Sequence, residues 1–183
     1  LEGDAASPQY KTFNPQAKVP ALRDGDVVVT QSLAILEYLD EKIPDPPFLP
    51  SDLAGRARVR SLSLGVVGDI FPLLPSRIRN ALANDLNQDE AGVRRWCHDW
   101  VCRGLETLEA SLVDDSATGT YCHGDSLTMA DICLASTIQV ARRYDCDLNP
   151  YPTVAGIYGR CEVMTAFQDA LAVNQADAPP DFK

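Results

Sequence analysis

The sequence predicts an α+β protein of two domains, a small mixed front followed by an all-helical back. Three observations predict it. Near the start, short β-type runs flank an Asp-Gly and lead into one amphipathic helix. A proline-rich break, Pro44-Asp45-Pro46-Pro47, then interrupts the chain. From Asp52 onward every apolar pattern has a helical period. With 183 residues and 45% hydrophobic composition, the chain can build one large core or two small ones.

The elements follow in order. After Ser7-Pro8 a short polar stretch leads to Asn14-Pro15. Pro20-Ala21-Leu22-Arg23 and Asp26-Val27-Val28-Val29-Thr30 read as strands, with Asp24-Gly25 between them because glycine tolerates a positive φ. A helix from Ser32 to Lys42 puts Ile35, Leu36, Leu39 and Ile43 on one face, and the Ser32 hydroxyl stands where it can cap the free N–H groups. The domains are therefore residues 1–43, a linker at 44–51, and a helical domain at 52–183.

In the back half, a first helix runs from Leu53 to Leu82, interrupted by Pro72 and Pro75. A second runs from Asp89 to Leu112, with Val93, Trp96, Trp100, Leu105, Leu108 and Leu112 inward. A third, from Thr128 to Arg143, is apolar almost all round at Ala130, Ile132, Leu134, Ala135, Ile138 and Val140, which places it in the middle of a bundle. Shorter helices are expected at Thr153–Glu162 and Thr165–Leu171, and a surface tail at 176–183. One hairpin and one helix leave a sheet face and edge uncovered, so further sequence is expected ahead of Leu1.

Composition narrows the function. Sixteen basic against 26 acidic residues give a net charge of -10, which repels phosphate backbones and argues against nucleic acid. No apolar run is long enough to span a bilayer, and no signal or transit peptide is visible, so a cytoplasmic protein is expected. The six cysteines contain no Cys-x-x-Cys pair and read as buried free thiols of a reducing compartment. His98 and His123 make no zinc site with them at a familiar spacing, so no metal is expected.

Two motifs carry more. Asn14-Pro15-Gln16-Ala17-Lys18-Val19-Pro20-Ala21-Leu22, followed by Thr30-Gln31-Ser32-Leu33-Ala34-Ile35-Leu36-Glu37-Tyr38-Leu39, closely resembles the glutathione-binding half of glutathione transferases. The resemblance continues through Leu49-Pro50-Ser51-Asp52 and Arg56-Ala57-Arg58-Val59-Arg60. It resumes at Gly124-Asp125-Ser126-Leu127-Thr128-Met129-Ala130-Asp131 and at Arg143-Tyr144-Asp145-Cys146-Asp147-Leu148. It is closest to the zeta class, the family of maleylacetoacetate isomerase and maleylpyruvate isomerase. The implied fold is the two-domain glutathione transferase fold, a partial thioredoxin-like domain plus an all-α bundle.

The resemblance implies roles for particular residues. Pro20 follows a cis bond that turns the backbone of Val19 toward the cysteinyl part of glutathione; such a bond exposes an N–H and C=O that no strand partner uses. Gln31 and Ser32, at a helix N-terminus, meet the γ-glutamyl carboxylate. Thr128-x-x-Asp131 is a capping box that starts the buried helix, so Asp131 is expected to serve folding rather than catalysis. Arg143 and Arg77 are expected to bind a small dicarboxylate through paired hydrogen bonds. Arg56, Arg58 and Arg60 read as a solvated face, with Asp52 and Arg56 at ion-pair spacing. Three positions depart from the family pattern: Leu74 and Pro75 stand where relatives often carry amides, and Asp99 where they tend to carry His.

The implied activity is glutathione-dependent cis–trans isomerisation of a maleyl dicarboxylate, within aromatic amino acid catabolism, by a cytoplasmic homodimer. A thiolate adds to the conjugated double bond, the bond rotates, and elimination returns glutathione. The family's first βαβ unit, which carries its catalytic serine motif, is not recognisable in the sequence. The 183-residue chain alone is therefore expected to lack the thiol-activating group, and its catalytic residue is left unassigned. Two other readings stand: a conjugating transferase, peroxidase or dehalogenase on the same scaffold, and a non-catalytic interaction module.

Overall fold

A computed structural model describes residues 4–176 and Ala178. It divides into two compact units, Leu1–Arg56 and Ala57–Lys183. Apart from Ala176 and Ala178, the expected surface tail lies outside the described residues.

The first unit opens with a helix that the sequence reading treated as a polar stretch. Helix α1 (Pro8–Phe13) has Ser7 as its N-cap, whose Oγ accepts from the Tyr10 N–H at 3.1 Å, with Pro8 in the first turn. Six residues are too few to show an apolar period. Strands β1 (Ala21–Asp24) and β2 (Val27–Thr30) pair antiparallel, with Ala21 opposite Thr30 and Asp24 opposite Val27. The two-residue loop is thus Gly25-Asp26, and Gly25 takes φ +60 at its first position.

Helix α2 (Ser32–Lys42) has the expected bounds but a different start. Its N-cap is Gln31, and no side chain caps it. Ser32 is already helical, so its hydroxyl does not cap as anticipated. Ile43 lies beyond the end of the helix and is 61% exposed, which removes it from the expected apolar face. The buried residue of α2 is Asp40, which accepts from the Phe48 N–H at 2.5 Å and so fixes the proline-rich segment. Asp24 ties the hairpin to α2 by accepting from the Tyr38 hydroxyl at 2.7 Å and from Lys42 Nζ.

Helix α3 (Leu53–Leu64) begins in the first unit and runs into the second. The Asp52 carboxylate accepts from the Gly55 N–H at 2.8 Å, capping α3. Beyond Leu64 the helix widens into a π-helical stretch, Gly65–Ile70, then tightens into a 3-10 turn, Phe71–Leu73, before α4 (Ser76–Asn84). The prolines do interrupt the helix, as expected. The π stretch packs on α5 (Glu90–Leu112) at Gly104, where a Cβ would stand 2.2 Å from Ile70 Cδ1.

That close approach rotates α5 relative to the expected inner face. Cys97, Val101, Gly104, Leu105, Leu108 and Leu112 are buried, while Val93, Trp96 and Trp100 sit half-buried at the flank. Trp96 keeps its indole N–H satisfied by donating to the Leu73 carbonyl at 3.0 Å.

Helix α6 (Met129–Arg143) packs against α5, the π stretch and α7 (Pro152–Glu162), as its all-round apolarity predicts. The capping box is present. Asp131, with no exposed surface, accepts from the Thr128 N–H and hydroxyl at 2.7 and 2.8 Å and from the Cys122 N–H at 2.7 Å. Helix α6 ends in a Schellman motif: Cys146 N–H donates to the Ala141 carbonyl and Asp145 N–H to that of Arg142, with Asp145 at φ +57. Helix α7 is capped from α5, because the buried Glu109 carboxylate accepts from the Thr153 and Val154 N–H groups at 3.0 and 2.8 Å. Helix α8 (Thr165–Asp169) is short.

Arg58 does not belong to a solvated face. Its guanidinium holds the loop between α5 and α6 through Asp115 at 2.8 Å, Thr118 at 2.8 Å and the Cys122 carbonyl. Arg56 donates to the Pro50 carbonyl at 3.3 Å, while Asp52 caps α3. Among the described residues, no helix is long and apolar enough to cross a membrane.

Candidate functional site

In the first unit, hairpin register gathers four of the expected site residues. Ala21 and Thr30 form the last pair of the ladder, so Val19-Pro20 and Gln31-Ser32 leave the sheet side by side at the same end. The Val19–Pro20 bond is cis, as the resemblance implies; Asp45–Pro46 is cis as well. The approach to Val19 is held by Asn14, which is 3% exposed. Asn14 Nδ2 and the Tyr10 hydroxyl each donate to the Lys18 carbonyl at 2.6 Å, and Asn14 Oδ1 accepts from the Gln16 N–H at 3.0 Å. Ala17, at φ +53, completes this tight turn. Asn14 stands in the motif without an assigned role, and its Asn-Pro context, a turn signal, is the hint in the sequence.

Past this anchor, main-chain groups stay open. Among the described residues the amide and carbonyl of Val19 have no hydrogen-bond partner, and its side chain is 75% exposed. The first backbone bond of α2 is from Ile35 to the Gln31 carbonyl at 3.0 Å, so among the described residues the N–H groups of Ser32, Leu33 and Ala34 in its first turn have no partner. Gln31 sits at φ +77, a conformation that costs a non-glycine residue about 1–3 kcal/mol and concentrates at binding sites. Its side-chain amide donates to Gln16 Oε1 at 3.2 Å, tying the two motifs together. Open N–H groups, partial positive charge at an uncapped helix start and a free main-chain pair suit a peptide-like ligand with a carboxylate. The residues present therefore fit glutathione.

In the second unit, three arginines crowd the end of α6 and are held differently. Arg142 makes a two-pronged pair with Glu162, at 2.5 and 3.2 Å. Arg94 donates to Asp145 and to the Arg143 carbonyl. Arg143 is exposed and, among the described residues, has no carboxylate partner. Its guanidinium lies 6.0 Å from the Tyr144 ring centroid, and that of Arg94 lies 5.8 Å away. Burial and the Cys97 thiol push the Tyr144 phenol up, while the charges of Arg79 and Arg143 pull it down. Arg79 thus joins the Arg143 neighbourhood, although the sequence reading singled out Arg77 on α4. Arg77 is exposed and donates through Nη2 to the Pro72 carbonyl at 3.3 Å.

The cysteines divide as well. Cys97, Cys122, Cys133 and Cys161 are buried, and burial raises the thiols of Cys122, Cys133 and Cys161, the last two to about 11 and about 12. Cys102 and Cys146 instead meet His98, with ligand atoms all within 4.8 Å of one another. Cys146 lies 44 residues from Cys102, so no local spacing signals the group.

The chain also resembles known proteins over most of its length. Residues 1–42 match the glutathione S-transferase N-terminal domain family. A maleylpyruvate isomerase of Ralstonia sp is 40% identical over 169 residues, covering 92% of this chain and 80% of that protein. The maleylacetoacetate isomerase of Rattus norvegicus is 36% identical, covering 99% and 80%. Among solved structures, the holo form of a maleylpyruvate isomerase, a bacterial zeta-class glutathione S-transferase, superposes with a TM-score of 0.93 at 38% identity, covering 97% of this chain and 84% of that one. A maleylacetoacetate isomerase of Methylobacterium extorquens, solved with malonate and glutathione, has the same TM-score and coverage at 37% identity. On the strength of this likeness along nearly the whole chain, the protein belongs to the zeta-class glutathione transferases, the family of maleylacetoacetate and maleylpyruvate isomerases.

Proposed function

We propose that the protein catalyses the glutathione-dependent cis–trans isomerisation of a small maleyl dicarboxylate. Family membership supports the reaction class, and the relatives named above are isomerases of such substrates. The observation that carries the reading on this chain is Arg143, the one arginine at the end of α6 without a carboxylate partner among the described residues.

Glutathione, when bound, supplies a thiolate that adds to the conjugated double bond and leaves after rotation. The chain's own residues hold and orient. The open N–H groups of α2 and the Ser32 hydroxyl receive a carboxylate, with Gln31 keeping the helix start uncapped. The free amide and carbonyl of Val19, beside Pro20, receive a peptide unit. Arg143 grips a substrate carboxylate through two N–H groups, and its charge stabilises negative charge developing on the substrate. Arg77 keeps N–H groups beyond its bond to Pro72, and in this reading they serve the second carboxylate. A homodimer and a cytoplasmic location belong to the same reading, and sedimentation at micromolar concentration tests the first.

The test is turnover of maleylpyruvate or maleylacetoacetate with and without glutathione, beside an aryl halide. Isomerisation that requires glutathione and outpaces aryl conjugation is the expected result. Faster conjugation of the aryl halide would assign the protein to the transferase reading.

A further inference from the structure

The His98, Cys102 and Cys146 group lies outside everything the proposed isomerisation uses. Cys102 and His98 share a face of α5 one turn apart. Cys146 is set in place by the Schellman turn that ends α6, through its own N–H bond to the Ala141 carbonyl at 3.0 Å. The two Sγ atoms are 2.6 Å apart. His98 Nδ1 lies 2.9 Å from the Tyr144 carbonyl, so Nδ1 carries the proton and Nε2 keeps its lone pair. That lone pair faces the Cys102 thiol at 3.6 Å.

Two chemistries use such a group, and distance separates them. An ion shared by two thiolates in a tetrahedral site, with metal–sulfur bonds of about 2.3 Å, holds the sulfurs about 3.8 Å apart. The sulfurs here are much closer than that and nearer to the bonded distance of about 2.05 Å. Exposure separates the two thiols. Cys102 is partly exposed and has the imidazole lone pair beside it, whereas Cys146 is buried. Burial and Cys102, with the charges of Asp145 and Asp99, push the Cys146 thiol up to about 12, which makes it the poorer attacking group.

We propose that Cys102 and Cys146 are a reversible disulfide-forming pair that exchanges with small disulfides such as glutathione disulfide, Cys102 attacking first and Cys146 resolving. In the first step the Cys102 sulfur bonds to one sulfur of the small disulfide, the disulfide bond breaks, and the departing thiolate takes the proton relayed by His98 Nε2. In the second step Cys146 sulfur attacks Cys102 sulfur, the mixed disulfide breaks, and the Cys146 proton leaves with the second thiol. One small disulfide is reduced to two thiols for each protein disulfide formed. The bond joins α5 to the turn directly behind Arg143.

The test exposes the protein to excess glutathione disulfide and, separately, to hydroxyethyl disulfide, followed by intact mass and non-reducing peptide mapping. The expected product has lost two hydrogens, maps to Cys102–Cys146, reverts with dithiothreitol, and melts about 5 °C or more higher. Because hydroxyethyl disulfide owes nothing to a glutathione site, its result stands apart from the isomerase reading. In Cys146→Ser a mixed disulfide should accumulate on Cys102, and in Cys102→Ser Cys146 should stay unmodified. A cross-link between other cysteines, an adduct on Cys146 first, or both thiols of the wild-type protein remaining alkylatable would overturn the proposal. So would one equivalent of zinc binding tightly and blocking the oxidation.

Discussion

Each of the two units of this protein is held internally by a different force. Among the described residues every buried apolar side chain except Leu49 lies in the second unit, where α6 buries Met129, Leu134 and Ile138 completely. The first unit buries Asn14 and Asp40 instead, each accepting or donating directed hydrogen bonds to nearby backbone. Its strands leave Val27 and Val28 more than a third exposed. Packing is nondirectional and additive, whereas a few hydrogen bonds fix position at little net gain in stability. The unit with the stronger core carries the arginines; the unit fixed by polar anchors carries the open backbone groups.

The contrast can be broken most severely in the second unit. Asp131→Ala leaves three buried donors without an acceptor, at α6 and at Cys122, and should cost about 3 kcal/mol or more. A urea unfolding midpoint reads it. Asn14→Ala, the matching change in the first unit, removes the bonds to Lys18 and Gln16 and should cost about 1–2 kcal/mol. Its sharper signature is local. Amide hydrogen exchange should quicken across the first unit while α6 is unchanged, and glutathione affinity should fall.

The smallest effect is expected at the exposed pair of Arg142 and Glu162. Hydrogen bonding and charge from Arg142, with a further bond from Tyr158, hold the Glu162 carboxyl below its ordinary value despite some desolvation. A lowered folded value stabilises the protein above the unfolded value, and that contribution is lost as pH falls through the folded one. Glu162→Gln should cost less than about 1 kcal/mol at neutral pH, with no difference from wild type once the medium is acidic enough to protonate Glu162. Paired thermal melts across that range read it.

Much of this was legible in the sequence, and what was not has physical reasons. Helix starts are written in single residues: Asp89 caps α5, and Thr128 with Asp131 starts α6. The cis bond follows from the family resemblance, and the bounds of α2 from its apolar period. The face of α5 was misread because size was taken for burial. Trp96 and Trp100 are large but flank the seam, which runs through Gly104 so that Ile70 can approach. Groups joined across long stretches of sequence stayed hidden, among them Glu109 capping α7, Arg58 holding the loop before α6, and Cys102 meeting Cys146. Each depends on tertiary packing that no local spacing reports. The carboxylate-binding start of α2 was legible, but the capping role given to Ser32 was not borne out, because Gln31 takes the cap position at a positive φ and Ser32 is already helical.

Under the proposed function, the first unit holds glutathione and Arg143 in the second holds a carboxylate of the substrate. Steady-state kinetics of Arg143→Ala, with glutathione and a maleyl dicarboxylate varied in turn, tests it most directly. Loss of a charge-assisted hydrogen bond should raise the KM for the dicarboxylate roughly 10- to 100-fold and leave the KM for glutathione and the melting temperature unchanged. An unchanged KM for the dicarboxylate, or an equal rise in both constants, would contradict it.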